Sequence, residues 1–126
     1  MTKYVDGFVL VVPKNKVAEY KKMASEGKDL WMKLGAIEYM ESVGEDLDPK
    51  GMDGMKSVPF TRMANAKPNE TVWFSFVVYK SKKHRDEINA KVMKEMKKYK
   101  DVPMPFDMKR MASGGFEVVI EGGEIK

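Results

Sequence analysis

The chain has 126 residues, 43% of them hydrophobic and 33% charged, which fits one domain with its own core and lies outside the disordered class. It holds no cysteine and a single histidine, His84, so disulfides, thiolate catalysis, Cys-type zinc or iron–sulfur ligation and multi-histidine metal sites within one chain are excluded. Twenty-three Lys and Arg against 19 Asp and Glu leave a net charge of +4, too little to demand a polyanionic partner.

The first periodic segment, Tyr4–Val12, is rich in β-branched and aromatic residues and is closed by Pro13, which cannot donate to a sheet ladder. Asn15 is placed to cap a following helix, in which Val17, Tyr20, Ala24, Trp31 and Leu34 recur at helical spacing and Gly35 supplies a left-handed stop. Gly27 within that helix costs about 1 kcal/mol against alanine and marks a close approach or a kink. Ala36–Val43 alternates, with Tyr39, Glu41 and Val43 on one side and Glu38, Met40 and Ser42 on the other, as a second strand does. Gly44–Ser57 has loop composition, and Val58–Lys67 leaves a short edge strand open. Glu70–Tyr79 is the strongest strand, nearly continuous in Val, Phe and Trp. Ser81 caps a second helix to about Tyr99, with Ile88, Val92, Met96 and Tyr99 in one stripe, until Pro103 and Pro105 break it. Asp107–Ser113 is a polar connector, Gly114-Gly115 opens the last strand, and Phe116–Ile120 forms it.

Strand, helix, strand, strand, helix, strand with right-handed crossovers is the order of an α+β, ferredoxin-like βαββαβ sandwich with an antiparallel sheet, here a single domain over residues 1–126. Its two helices cover one sheet face. Strand one puts Asp6, Phe8, Leu10 and Val12 on one side and Val5, Gly7, Val9 and Val11 on the other, and strand three divides Val72, Phe74, Phe76 and Val78 from Trp73, Ser75, Val77 and Tyr79. With both faces of both strands substantially apolar, the face without helices is an aggregation hazard unless it is shielded. A homodimer with sheets packed face to face is the expected solution, making a dimeric α/β-barrel.

Four polar positions are candidate catalytic residues. Asp6 interrupts an apolar strand, and a buried carboxylate needs a partner such as Arg85 or Arg110. His84 falls on the edge of the buried stripe and would need an orienting carboxylate such as Asp6, Glu41 or Asp107. Asp107 and Arg110 lie three apart in the connector, where polar residues carry function or form a local ion pair. Tyr39, Glu41, Trp73 and Ser75, with Arg85 nearby, are candidates for a ligand-binding wall if the middle strands align; the same set serves equally as a subunit interface.

Nine cations stand against three carboxylates between Lys80 and Lys100, and Phe74-Ser75-Phe76-Val77-Val78-Tyr79 partly mimics an RNA-recognition aromatic run. Trp73 stands where that run has glycine and Val72 where it has a cation, so nucleic acid is not an expected partner and RNA binding ranks as a second alternative. Met52-x-x-Met55 and Met108-x-x-Met111 have soft-metal spacing, but methionine fills loops and cores far more often, and no metal is expected. No apolar run reaches the ~18 residues of a membrane span. With no signal-peptide block before Pro13, the expected compartment is the cytoplasm.

The segments Tyr4-Val5-Asp6-Gly7-Phe8, Val72–Tyr79, Lys83-His84-Arg85-Asp86 with Asn89–Met93, and Met104–Met111 with Gly114-Gly115-Phe116 resemble the YbaA-like family of small bacterial proteins. The resemblance spans nearly the whole chain; the Met-rich Gly51–Ser57 loop and Met108, where glycine is common, depart from it. It implies a ferredoxin-like protomer of the dimeric α/β-barrel superfamily and brings no established activity. At the superfamily level it implies, as an alternative to plain small-molecule binding, cofactor-independent oxygenase- or isomerase-like chemistry on a compact organic compound.

Overall fold

A computed structural model describes residues 2–47 and 57–123. The elements are β1 (Tyr4–Pro13), α1 (Val17–Lys33), β2 (Glu38–Val43), the single turn α2 (Phe60–Met63), β3 (Glu70–Tyr79), α3 (Lys82–Met96) and β4 (Ala112–Glu117). Short 3-10 turns occupy Lys14–Lys16, Lys97–Tyr99 and Met108–Arg110.

The four strands form one antiparallel sheet in the order β2-β3-β1-β4. Tyr4 faces Tyr79 and Pro13 faces Glu70, so β1 and β3 pair along their full length at the centre. The split crossovers of the ferredoxin-like fold follow, with α1 and α3 on one face. Beneath them, Leu10, Val12 and Trp73 pack with Tyr20 and Ala24 of α1, while Val77 and Tyr79 pack with Ile88 and Val92 of α3 and with Ala36.

Local signals explain most boundaries. Ser81 Oγ accepts from the His84 backbone N–H at 3.1 Å and caps α3. Gly35 takes φ +113°, the left-handed stop after α1. Asn15, however, does not cap α1: the N-cap is Lys16, with no side-chain bond. Pro13 and a backbone bond from Lys14 N to the Asn69 carbonyl at 2.9 Å turn the chain instead, through a 3-10 turn.

Two other boundaries move. The segment left open as an edge strand holds α2, one helical turn between Pro59 and Ala64. The last strand starts at Ala112, four residues before Phe116, and places Gly114 and Gly115 inside the ladder opposite Gly7 and Asp6. The reason is side-chain traffic: a Cβ on Gly115 would collide with the Arg85 guanidinium and the Tyr4 ring, which cross the strand there.

Among the described residues the second sheet face is covered over Val11 and Val72, and Val78 toward its other end is also buried. Ala64 and Ala66 beside α2, with Leu47, close over Val11 and Val72, which are buried. Elsewhere on that face Met40, Phe74 and Phe116 are 47%, 49% and 62% exposed, and Val5, Val9 and Phe76 are half-buried. Among the described residues no helix is long and apolar enough to cross a membrane. Met52 and Met55 lie outside the described residues; Met108 is exposed, and Met111 packs against the Leu10 cluster.

Candidate functional site

The candidate polar residues separate into three places. At the Tyr79 end of the sheet, Asp6 points under α3 and is 8% exposed. Asn89 Nδ2 donates to its Oδ2 at 3.2 Å, the Tyr79 hydroxyl donates to Asn89 Oδ1 at 3.1 Å, and Trp31 Nε1 donates to that hydroxyl at 3.1 Å. Arg85 Nε lies 3.2 Å from Asp6 Oδ1 but off the line of a hydrogen bond, so that buried N–H has no aligned acceptor. The guanidinium also donates to Tyr4 Oη at 3.2 Å and to Asp86 at 2.9 Å. Burial pulls the Arg85 guanidinium down, and Asp6, Tyr4 and Asp86 more than offset it, leaving its pKa above the ordinary value. Burial, reinforced by the nearby Asp6 charge, pushes the Tyr79 phenol up. Of the two partners open to Asp6, Arg85 is the one the fold supplies.

His84 sits at the same end but forms no hydrogen bond or ion pair with Asp6 among the described contacts. Its Nδ1 accepts from the Lys80 backbone N–H at 3.0 Å, which closes the turn into α3, and its ring meets Tyr79 edge-on. That acceptor role leaves the proton of a neutral imidazole on Nε2.

Asp107 and Arg110 lie toward the opposite end, where Arg110 grips Glu70; Glu70 pairs with Pro13, seven residues along β1 from Asp6, a span of about 23 Å. Asp107 caps its 3-10 turn by accepting from Lys109 N at 3.0 Å and also accepts from Arg110 Nε at 3.2 Å. The main partner of Arg110 is Glu70, gripped in two parallel bonds of 2.9 and 2.6 Å, while Nη1 also reaches the Asn65 carbonyl. The Arg110 bond and a backbone N–H at Lys67 hold the Glu70 carboxyl down to about 2. The four catalytic candidates are therefore not assembled into one constellation.

The third place brings its residues together. Tyr39 and Glu41 of β2 and Trp73 and Ser75 of β3 share the helix-facing side, because Glu41 stands opposite Ser75 and Val43 opposite Trp73. Tyr20 of α1 donates to Glu41 Oε1 at 2.7 Å and Tyr39 donates to Oε2 at 2.8 Å. Burial raises both phenols, and the Glu41 carboxylate raises them further; the Ser75 hydroxyl acts on Tyr20 in the opposite sense. Trp73 packs on Tyr20 with ring centroids 4.8 Å apart and donates to Thr71 Oγ1 at 2.9 Å. Gly27 of α1 faces the Tyr39 hydroxyl, which would stand 3.2 Å from a Cβ there. Arg85 belongs to the Asp6 cluster, away from this wall.

A cleft of about 340 Å³ opens at this wall, lined by Tyr39, Glu41, Val43 and Trp73 with Lys21 and Lys28 of α1. A larger groove of about 550 Å³ runs between α1 and the segment after α3, past Met23, Leu30, Met96 and Met104. A third, of about 360 Å³, lies beside Tyr4 and Ser81. None of these three is lined by Asp6, His84 or Arg110.

The spacing of the sequence missed Tyr20, Asn89 and Glu70. Tyr20 fell on an apolar stripe and read as core; its hydroxyl was the available signal, since a buried phenol needs a partner. Glu70 opened an apolar run and read as a boundary.

Two solved structures of dimeric ferredoxin-like proteins from an uncultured marine organism have this fold. They superpose with TM-scores of 0.59 and 0.60 at 10% and 15% identity, covering 97% and 98% of this chain and the whole of theirs. The uncharacterized protein YbaA of Escherichia coli K12 is 41% identical over 121 residues, covering 94% of this chain and 98% of that protein, and the Shigella flexneri YbaA matches equally. Residues 3–108 match the family described as protein of unknown function, DUF1428, and the chain belongs to that family.

Proposed function

We propose that this chain is a cytoplasmic homodimer that binds a small organic molecule in the cleft between α1 and β2. The observation that carries the binding reading is the Glu41 carboxylate, fixed by two phenols and presented beside the half-buried Tyr39 ring and the exposed Val43 at an open cleft. A rigid aromatic surface with a few convergent polar groups is what small-ligand sites are made of. The catalytic alternative built on Asp6, His84, Asp107 and Arg110 has less support, since those residues are split between two ends of the sheet and line none of the three clefts.

The dimer reading rests on the exposed patch of Met40, Phe74 and Phe116, apolar side chains on the face opposite the helices. The fold neighbours that are dimeric ferredoxin-like proteins lend it support. The absence of cysteine agrees with a reducing compartment.

Sedimentation velocity at micromolar concentration and a thermal-shift screen of small metabolites test both parts. The expected result is a dimer, together with at least one compound that raises the melting temperature of the wild type but not of Glu41→Gln. A monomer at tens of micromolar removes the dimer. A screen in which every stabilising compound acts equally on Glu41→Gln removes the cleft. Quenching of Trp fluorescence by oligonucleotides in the monomer would favour the RNA alternative, with Phe74 and Phe76 as stacking platforms.

A further inference from the structure

The chemistry of the cleft restricts what it can hold. Tyr20 and Tyr39 each have one hydroxyl hydrogen, and each gives it to a different oxygen of Glu41. Neither phenol has a proton left for a ligand. Each carboxylate oxygen keeps a free lone pair, so this wall accepts hydrogen bonds and offers none. A ligand anion placed there would meet like charge at short range, whereas an ammonium would gain a charge-assisted bond.

The opposite rim has the reverse character. Lys21 and Lys28 of α1 line the same cleft; Lys28 contacts Asp29 at 3.1 Å, and Lys21 appears in none of the described ion pairs. Val43, 47% exposed, gives the cleft its apolar surface, while Trp73 closes the space from the buried side. Acceptor, apolar surface and lysines line one 340 Å³ space.

We infer that the cleft takes a small zwitterion, its ammonium on Glu41, its apolar body against Val43 and its carboxylate or phosphate toward Lys21. This inference rests on the proposed ligand-binding role of the cleft and names the class of ligand. Glu41 recognises the cationic end, Lys21 the anionic end, and the paired phenols hold Glu41 in place.

Isothermal titration of the full-length protein with phenylalanine, phenethylamine and 3-phenylpropionate tests it, since the three share one apolar body and differ only in their charged ends. Phenylalanine is expected to bind at least tenfold tighter than 3-phenylpropionate and about threefold tighter than phenethylamine. Glu41→Gln should weaken phenylalanine and phenethylamine about tenfold and leave 3-phenylpropionate within twofold, a pattern that a folding defect would not give. Lys21→Ala should weaken phenylalanine about threefold and leave phenethylamine unchanged. Binding of 3-phenylpropionate as tight as that of phenylalanine overturns the inference. So does a Glu41→Gln variant with unchanged phenylalanine affinity, or no heat from phenylalanine at 10 mM. If uncharged compounds still stabilise the protein in a Glu41-dependent way, the zwitterion fails while the broader ligand-binding reading stands.

Discussion

The two faces of the central strands are built from the same twenty residues of β1 and β3, yet they treat polar atoms in opposite ways. The helix-facing side admits Asp6, Ser75 and Tyr79 into the interior and finds partners for them on α1 and α3, so its burial depends on a hydrogen-bond chain. The other side is almost purely apolar, with Val11 and Val72 sealed by the Ala64 segment and Phe74 left half in water. Buried polar groups impose geometry because misalignment is costly. Apolar surface tolerates any occupant of suitable shape. The difference teaches where a sequence has committed its fold and where it has left room for a partner.

Breaking the covered face should have the largest effect. Arg85→Leu leaves the Asp6 carboxylate buried beside Asn89 and Tyr79 with no cation and should cost about 3 kcal/mol, or about 10 °C in thermal unfolding. The double variant Asp6→Leu, Arg85→Leu should regain much of that loss, because a matched apolar pair carries no orphaned charge. A single variant as stable as wild type would mean that Asp6 does not depend on Arg85.

Changing the open face should alter assembly rather than stability. Phe74 is already half exposed, so Phe74→Lys should change the unfolding free energy of the protomer by less than about 1 kcal/mol while converting the proposed dimer to monomer in sedimentation. A dimer that persists would relocate the interface to another surface.

The smallest expected effect comes from pH and concerns the clamp that holds the cover in place. Arg110 ties Glu70 of β3 to the Asn65 carbonyl, at the end of the α2 turn that shields Val11 and Val72. The folded Glu70 pKa, about 2, lies below its ordinary value of 4.5. Its contribution is therefore fully present above about 4.5 and is lost as pH falls from there toward 2. Denaturant unfolding at pH 7, 4 and 2.5 should show this loss in the wild type and a flatter profile in Glu70→Gln. Equal slopes would exclude Glu70 as a source of the acid sensitivity.

The layered architecture was legible because helical and strand periods appear plainly in Val17–Leu34 and Glu70–Tyr79, and because Ser81, Gly35 and Pro13 punctuate them. The face assignments on β1, β2 and β3 followed from a period of two, which is why Tyr39, Glu41, Trp73 and Ser75 could be grouped in advance. What period cannot give is the partner of a polar side chain. Asp6 had two arginines to choose from, and the choice was made by the Arg85 side chain reaching from α3 over Gly115, a tertiary event. Arg110 appeared paired with Asp107 because the two are close in sequence, yet its bidentate partner, Glu70, lies forty residues away. The start of β4 was misplaced for a related reason: Gly-Gly ordinarily ends a strand, and here it makes space for two neighbouring side chains.

Gly27 ties the backbone of α1 to the chemistry of the cleft. Alanine there would favour the helix by about 1 kcal/mol, but its methyl would press on the hydroxyl of Tyr39 and loosen one of the two struts that brace Glu41. Thermal hardiness and the proposed ligand recognition would then move in opposite directions at one residue, and a screen that rewards heat resistance alone would select the variant whose Glu41 is braced less well.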